Sequence, residues 1–233
     1  MNLLRKLFDR TDGGSLSGRD AINEGDLFYS VSGNLFYVHK LIRVRKETWH
    51  VLTYKPITSK PTVDMIPFLE VAIYHAPVHR NGFESPEYLS SPGITDSELH
   101  GYHTYLRIAD DFEELAVIAN DYFAKASAAT DNGDHEAAIA NYTLCIGVAP
   151  VYWEAIDNRA FSKMDLGRWS DAIEDFNLSL AINPGNNLAI FSIGECYLRL
   201  KKTDKAKKQF ELVLQTDPAH ELALSFLKKT NAA

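Results

Sequence analysis

Cysteine and long apolar runs are both scarce in this chain. Its 233 residues include two cysteines, Cys145 and Cys196, too few for the disulfide framework of a small secreted scaffold. We expect two distant buried thiols in a reducing compartment, for which the cytoplasm is the default. No apolar stretch approaches the roughly 20 residues that a membrane-spanning helix needs, so the sequence predicts no transmembrane segment.

An excess of basic charge is also lacking. The net charge is −7 at pH 7, and residues 111–233 carry −6 of it, from 18 acidic and 12 basic residues. Nucleic-acid binding needs lysine and arginine to displace counterions from phosphates, so we expect no nucleic-acid partner. The local exception is a basic run from Arg199 to Lys208, which we interpret as a solvated face.

Catalytic signatures are missing as well. The sequence has no glycine-rich phosphate loop, no HExxH pair and no G-x-S-x-G elbow. It therefore predicts a protein with no catalytic residue, no cofactor and no metal. The alternative is a hydrolase or metal-dependent enzyme that uses histidines of the N-terminal half, where six of the eight histidines lie.

Two close histidine pairs carry that alternative. His75 with His79, and His100 with His103, supply imidazole nitrogens of the kind that zinc binds. However, His75 and His79 flank Pro77 and so do not share a helix face, and no cysteine accompanies the two pairs. The spacing lacks the specificity of the known zinc motifs, so we expect no metal site there.

The chain does contain a period of 34 residues in its second half, marked by Pro150, Pro184 and Pro218. Stacked on this period, small residues share one column, alanines share a second and aromatic residues share a third. The columns are Ala126, Ala160 and Gly194; Ala138, Ala172 and Ala206; and Tyr142, Phe176 and Phe210. Small residues let paired helices cross at a short distance, and a proline beyond a helix C-terminus ends that helix. Self-similarity at this period indicates an α-solenoid.

This pattern resembles the tetratricopeptide repeat over residues 119–218. The resemblance implies helix-turn-helix repeats at 119–152, 153–186 and 187–220. Residues 219–230 are apolar on one side and end in lysines, which predicts a helix that caps the end of the solenoid. The third turn, Leu200–Thr203, lacks the glycine of the other two turns, so we expect it to be weaker.

The N-terminal half has the pattern of short β-strands. Aromatic and β-branched residues favour strands at 27–31, 35–44, 48–54 and 70–75. A helix is predicted to begin near Thr95, which has capping-box spacing with Glu98. The strands are similar to small SH3-like barrels, a likeness of fold from which no function follows.

These patterns together predict an α+β protein of two domains. We expect a flexible or amphipathic segment at residues 1–20 and an antiparallel β-rich domain at 21–110 that ends in a helix. An all-α solenoid of three repeats and a capping helix is expected at 111–233. The sequence leaves the oligomeric state open.

The resemblance also implies a binding site, because the first helices of tetratricopeptide repeats line a concave groove that holds a partner's peptide or helix. By register, the groove residues are Asn120, Phe123, Ser127, Asp131, Glu154, Asp157, Phe161, Asp165, Leu188, Phe191, Glu195 and Leu198. Three phenylalanines among carboxylates exceed what a solvated surface requires. This mixture predicts a partner protein or peptide with basic and apolar side chains.

Some members of the family clamp a partner's C-terminal carboxylate with lysine, asparagine and arginine. Asn158 keeps one of those positions here, whereas Phe123, Ser127 and Ser192 replace others. We therefore expect no binding to chaperone tails.

The resulting expectation is a cytoplasmic, bacterial-type adaptor that binds a partner protein without catalysis. A narrower hypothesis is an immunity protein, which would neutralise a toxin by covering a basic active site. Only the acidic charge of the solenoid motivates that narrower role.

Overall fold

The structure, a computed structural model, describes residues 22–231. The described residues divide into two compact units, with the boundary between Asp111 and Phe112. The segment at residues 1–20, expected to be flexible or amphipathic, lies outside the described residues. Between residues 22 and 231, no helix is long and apolar enough to cross a membrane.

The first unit is built on one antiparallel sheet of five strands. They are β1 (Leu27–Ser32), β2 (Leu35–Arg45), β3 (Thr48–Tyr54), β4 (Val71–His79) and β5 (Glu87–Ser90). Their order in the sheet is β4-β3-β2-β1-β5, which confirms the predicted meander of the first three strands. Within the described residues β4 and β5 are the two edges and do not pair, so the sheet is open and is not a closed barrel.

The two edge strands differ most from the prediction. Strand β4 continues through Pro77 to His79, whereas the predicted strand ended at His75. Proline is tolerated there because β4 is an edge strand. Strand β5 was not predicted, because four residues after Pro86 are too few to show an alternating pattern.

One face of the sheet packs around the ring of Phe28. Its core consists of Ile22, Phe28, Leu41, Val51, Ala76, Val78 and Phe83. The buried ring of His39 contacts the rings of Phe28 and Phe83, and its Nδ1 lies 2.9 Å from Thr53 Oγ1. Burial lowers the pKa of His39 to about 3, so this imidazole is an uncharged part of the core.

The opposite face of the sheet is covered by helix α1 (Asp96–Ile108). Side chains alternate along a strand, so His50 points away from the face that holds Val51, and its ring meets Tyr102 of α1 at 4.9 Å. The predicted start of the helix is confirmed, since Glu98 accepts from the Thr95 backbone N–H at 2.8 Å. Lys40 donates to both oxygens of Glu98 at 2.7 Å and ties α1 to β2.

Helix α1 lies very close to β4 at Gly101. A Cβ atom added to Gly101 would lie 2.6 Å from the carbonyl oxygen of Tyr74. Such a contact is far inside van der Waals distance, so only glycine permits this approach of helix and strand.

The second unit is a series of helices in the order that the sequence predicts. They are α2 (Phe112–Asp131), α3 (His135–Val148), α4 (Trp153–Asp165), α5 (Trp169–Ile182), α6 (Asn187–Arg199), α7 (Thr203–Thr216) and α8 (Glu221–Asn231). Helices pack in sequence order, with the closest pairs α2–α3, α4–α5 and α6–α7. The three repeats and the capping helix are thereby confirmed.

The three residue columns account for this packing. All nine of their residues are buried. In the third repeat the aromatic residue lies very close to the small one, because a Cβ on Gly194 would lie 2.5 Å from the ring of Phe210. The lack of a side chain at Gly194 therefore makes room for the ring of Phe210.

The turns between paired helices form a column of their own. Gly133 and Gly167 adopt the left-handed conformation, with φ of 75° and 73°. Lys201 occupies the same place in the third repeat with φ of 58°. The third turn thus keeps the geometry of the other two at the expense of a strained lysine.

Candidate functional site

The candidate site is the face of α2, α4 and α6 on which the sequence places its twelve groove residues. Four are exposed: Asn120, Asp131, Asp165 and Leu188. Six are half-buried: Phe123, Ser127, Glu154, Phe161, Glu195 and Leu198. The remaining two, Asp157 and Phe191, are each 5% exposed, so neither offers a free surface to a partner.

An aromatic pair lies where the first repeat meets the second. The ring of Phe123 stacks on Tyr152 with centroids 5.1 Å apart and planes at 9°. Tyr152 also donates from its hydroxyl to Asn120 Oδ1 at 3.3 Å. Sequence reasoning missed Tyr152, although an aromatic residue two places after Pro150 was the available signal. The pair provides a fixed apolar surface beside polar groups.

The three predicted groove phenylalanines differ in their surroundings. Phe161 is half-buried and meets Phe176 edge-on at 5.1 Å. Phe191 packs against His220 and Phe226, with ring centroids 5.2 Å and 5.8 Å away. The expectation of three exposed aromatics is therefore wrong for Phe191, because the capping region covers it.

The predicted groove carries five carboxylates and no lysine or arginine. They are Asp131, Glu154, Asp157, Asp165 and Glu195. Burial raises the pKa of Glu195, although the nearby Arg199 opposes the shift. Partly desolvated carboxylates favour a cation that can replace lost hydration, so the face is suited to basic groups.

Two buried aspartates of the second repeat have contrasting partners. Asp175 receives two bonds of 2.8 Å from Arg159 and lies 2.7 Å from Lys163. Asp157 accepts instead from the side-chain amide of Asn186 at 2.5 Å. Burial raises the pKa of Asp157, Glu154 adds to the rise, and the hydrogen bond from Asn186 opposes it. Asp175 thus belongs to an ion cluster, whereas Asp157 joins neighbouring repeats through an amide.

Residues at the carboxylate-clamp positions are engaged within the solenoid. Asn158 donates from its side chain to the Glu154 carbonyl at 2.8 Å, inside helix α4. Ser192 is buried. None of the four clamp positions, Phe123, Ser127, Asn158 and Ser192, carries a cationic side chain.

The basic run near the third turn lies partly over aromatic rings. The guanidinium of Arg199 is 5.5 Å from the ring of Trp169, and Lys205 Nζ is 5.5 Å from the ring of Tyr197. Cation–π contacts of this kind stabilise long basic side chains on a surface.

The histidine pairs of the alternative hypothesis are not brought together. His79 and His100 are exposed, whereas His75 Nε2 lies 2.8 Å from Nδ1 of His50. Residues 22–231 contain no group of three or more histidine, cysteine, aspartate or glutamate side chains arranged to hold a metal. The enzyme alternative gains no support from this structure.

Two family models described as the tetratricopeptide repeat match residues 122–152 and 163–229. Among curated proteins, the chain is 32% identical over 117 residues to sperm-associated antigen 1 of mouse. The aligned region is 50% of this chain and 13% of that protein. It is also 32% identical over 94 residues to the protein SGT1 homolog of rice. This aligned region is 40% of this chain and 26% of that protein. The match thus spans about a quarter or less of either relative.

Two solved structures of the first TPR domain of RPAP3 are among those similar to this chain. One is the first TPR of Spaghetti (RPAP3) bound to the HSP90 peptide SRMEEVD, with 28% identity and a TM-score of 0.47. The other is the first TPR domain of human RPAP3, with 28% identity and a TM-score of 0.46. In each comparison the aligned region is 49% of this chain and 91% of the solved chain.

Proposed function

Because residues 119–218 are tetratricopeptide repeats, we propose that this chain is a non-catalytic adaptor that binds a partner protein in the groove of α2, α4 and α6. The observation that carries the proposal is the charge of that face. Its carboxylates are interleaved with the half-buried rings of Phe123 and Phe161, and no basic residue is among the twelve groove residues. An apolar surface edged by charge commonly marks a partner site.

The partner segment presents basic and apolar side chains. Its basic groups pair with the groove carboxylates, and its apolar groups pack on the stacked rings of Phe123 and Tyr152. Electrostatic complementarity of this kind mainly raises the association rate and suppresses wrong partners. The affinity is therefore expected to fall as the salt concentration rises.

We place the adaptor in the cytoplasm, because both cysteines are free thiols that are buried within the repeats. The immunity role is a narrower version of the same proposal, in which the basic partner surface is the active site of a toxin. The net charge of −6 over residues 111–233 supports it. Identification of the partner decides between this role and a general adaptor.

The proposal is tested by affinity purification from native lysate with charge-reversed variants. In the groove variant Glu154→Lys/Asp165→Lys, both changes lie on α4. In the control variant Asp171→Lys/Glu174→Lys, both changes lie on the exposed surface of α5. Each variant adds the same charge, and each places one lysine in the first turn of its helix.

A partner that the control retains and the groove variant loses is the expected result. Equal loss in both variants would mean that overall charge, and not the groove, binds the partner. Retention by both variants would move the binding site to another surface and overturn the proposal.

We do not expect this chain to bind the HSP90 peptide that the RPAP3 domain holds, because none of the four clamp positions carries a cationic side chain. Titration with the peptide SRMEEVD provides a direct measurement. A dissociation constant in the micromolar range would contradict this prediction.

A further inference from the structure

The histidines of the first unit have no part in the proposed groove, yet two of them are in direct contact. His50 on β3 and His75 on β4 form what we call the histidine cluster, and His103 is a further histidine on α1. His50 and His103 are buried, and His75 is half-buried. His50 and His75 lie on the face of the sheet that α1 covers.

The centre of the cluster is a direct contact between two imidazoles. His50 Nδ1 and His75 Nε2 are 2.8 Å apart, and the rings stack with planes at 23°. One nitrogen must donate and the other must accept, so at least one ring must be neutral. Tyr105 packs on His75 at 4.6 Å, and Tyr102 meets His50 edge-on at 4.9 Å. The pair is therefore enclosed by aromatic rings of α1.

The charged groups around the pair oppose any added proton. Burial lowers the pKa of His50 to about 4, and Arg45 and Arg43 on β2 lower it further. Burial also lowers the pKa of His75 to about 4, with a further contribution from His50. The carboxylates of Glu98 on α1 and of Asp111 already have cationic partners on β2, since Glu98 pairs with Lys40 and Asp111 with Arg45.

His103 on α1 has the same character. Burial lowers its pKa to about 4, and Arg107, His100 and Arg43 add to the shift, while Asp96 opposes it. The Nε2 atom of His103 is buried and makes no hydrogen bond. A proton on that nitrogen would place an unsolvated charge beneath the helix.

The fit of α1 on β4 leaves little room to accommodate such charges. At Gly101 the helix backbone approaches the carbonyl of Tyr74 so closely that even a methyl group would clash. A charged imidazole can regain water only if the helix moves away from the sheet. Helix position and protonation are thereby coupled.

We propose that the histidine cluster is an acid-sensitive contact, and that proton uptake by His50 and His75 releases α1 from the sheet. The released state holds the histidines at their ordinary pKa of 6.5, above their values of about 4 beneath the helix. Between these values the released state binds more protons, so acidification favours it. The docked helix is fully stable above about pH 6.5 and weakens as the pH falls toward 4.

The test is hydrogen–deuterium exchange of the full chain at pH 7, 6 and 5, corrected for the intrinsic pH dependence of exchange. The amides of α1 are expected to lose protection by roughly tenfold or more between pH 7 and 5, while those of α5 do not. The double variant His50→Phe/His75→Phe keeps two rings without a titratable group and should flatten this dependence. The matched control His79→Phe/His100→Phe changes the two exposed histidines and should behave as the wild type.

Three results would overturn the proposal. They are pH-independent protection of α1, loss of protection by β2 and β3 at the same pH as α1, and a wild-type profile in the His50→Phe/His75→Phe variant. If that variant does not fold, the wild type still decides the matter by NMR titration of its imidazoles. His50 and His75 must stay neutral at pH 6 while α1 is docked, and a pair that is already protonated at that pH contradicts the proposal.

Discussion

The side-chain amide of Asn186 donates to Asp157 at 2.5 Å, and the carbonyl of the same side chain accepts from the Ala189 N–H at 3.2 Å. Asp157 lies on α4 and Asn186 precedes α6, so one side chain both caps a helix and joins the second repeat to the third. Repeat proteins depend on such contacts between neighbours for their stability. Asp157 is therefore a structural residue as well as a predicted groove residue.

Replacing Asp157 by alanine should destabilise the solenoid. The change removes the acceptor of the Asn186 amide, and loss of a buried hydrogen bond of this kind costs about 1–3 kcal/mol. Chemical denaturation of the full chain measures the cost. Asp165→Ala on the same helix is the control, and because Asp165 is exposed its effect should stay within about 0.5 kcal/mol. Equal effects of the two changes would contradict this role of Asp157.

The repeat architecture could be predicted because its residues recur in register. Ala160 and Gly194 occupy one column, and their smallness is visible in the sequence before any contact is known. The burial of Phe191 could not be predicted in this way. It depends on His220, which occupies the register position of Tyr152, and on Phe226 of the capping helix, and the residue columns do not show that these two rings cover Phe191.

The first unit was predictable only where its strands are long and neighbours in sequence. Strands β1, β2 and β3 form a meander whose turns and apolar residues are local signals. Strand β5 is four residues long and pairs with β1, whose residues lie 58 to 63 positions earlier in the chain, so no local pattern marks it. The contact of His50 with His75 likewise arises from pairing between β3 and β4 and not from sequence spacing.

The third turn offers a stabilising substitution. Lys201 adopts φ of 58°, where the other repeats have Gly133 and Gly167. A lysine in this conformation is strained, so Lys201→Gly should raise the free energy of unfolding by about 0.5–1 kcal/mol. Gly167→Ala is the reciprocal change and should lower it by a similar amount. Thermal or chemical denaturation of both variants measures whether stability rises in Lys201→Gly and falls in Gly167→Ala. A loss of stability in Lys201→Gly would refute the argument.

Both thiols should resist modification in the folded protein. Burial raises the pKa of Cys145 to about 11 and that of Cys196 to about 12, the latter with a contribution from Glu195. The thiolate is the reactive form, so an aromatic disulfide reagent at pH 8 should label neither residue in the native chain. After denaturation it should label two thiols per chain. Rapid labelling of either cysteine in the native protein would show that its repeat opens readily.

The ion pair between Lys40 and Glu98 should be sensitive to removal of one partner. The two side chains are 4% and 18% exposed, and breaking a buried pair costs about 3–5 kcal/mol because it leaves one charge uncompensated. We therefore expect Lys40→Met to destabilise the first unit by about 3 kcal/mol. The double variant Lys40→Met/Glu98→Gln removes both charges and should recover part of this loss. Glutamine also keeps an oxygen that can accept from Thr95.

Acid titration separates this pair from the histidine cluster. Burial raises the pKa of Glu98, but hydrogen bonds from Lys40 and Thr95 outweigh that effect and hold it below its usual 4.5. A carboxylate with a lowered pKa stabilises the fold above that value and loses the contribution as the pH falls through its folded pKa. Stability curves of wild type and Lys40→Met, measured by urea denaturation from pH 7 to 3, should therefore lie apart at pH 7 and converge as the pH falls below 4.5, because only the wild type loses this contribution. Parallel curves over the whole range would mean that Lys40 does not control the ionisation of Glu98.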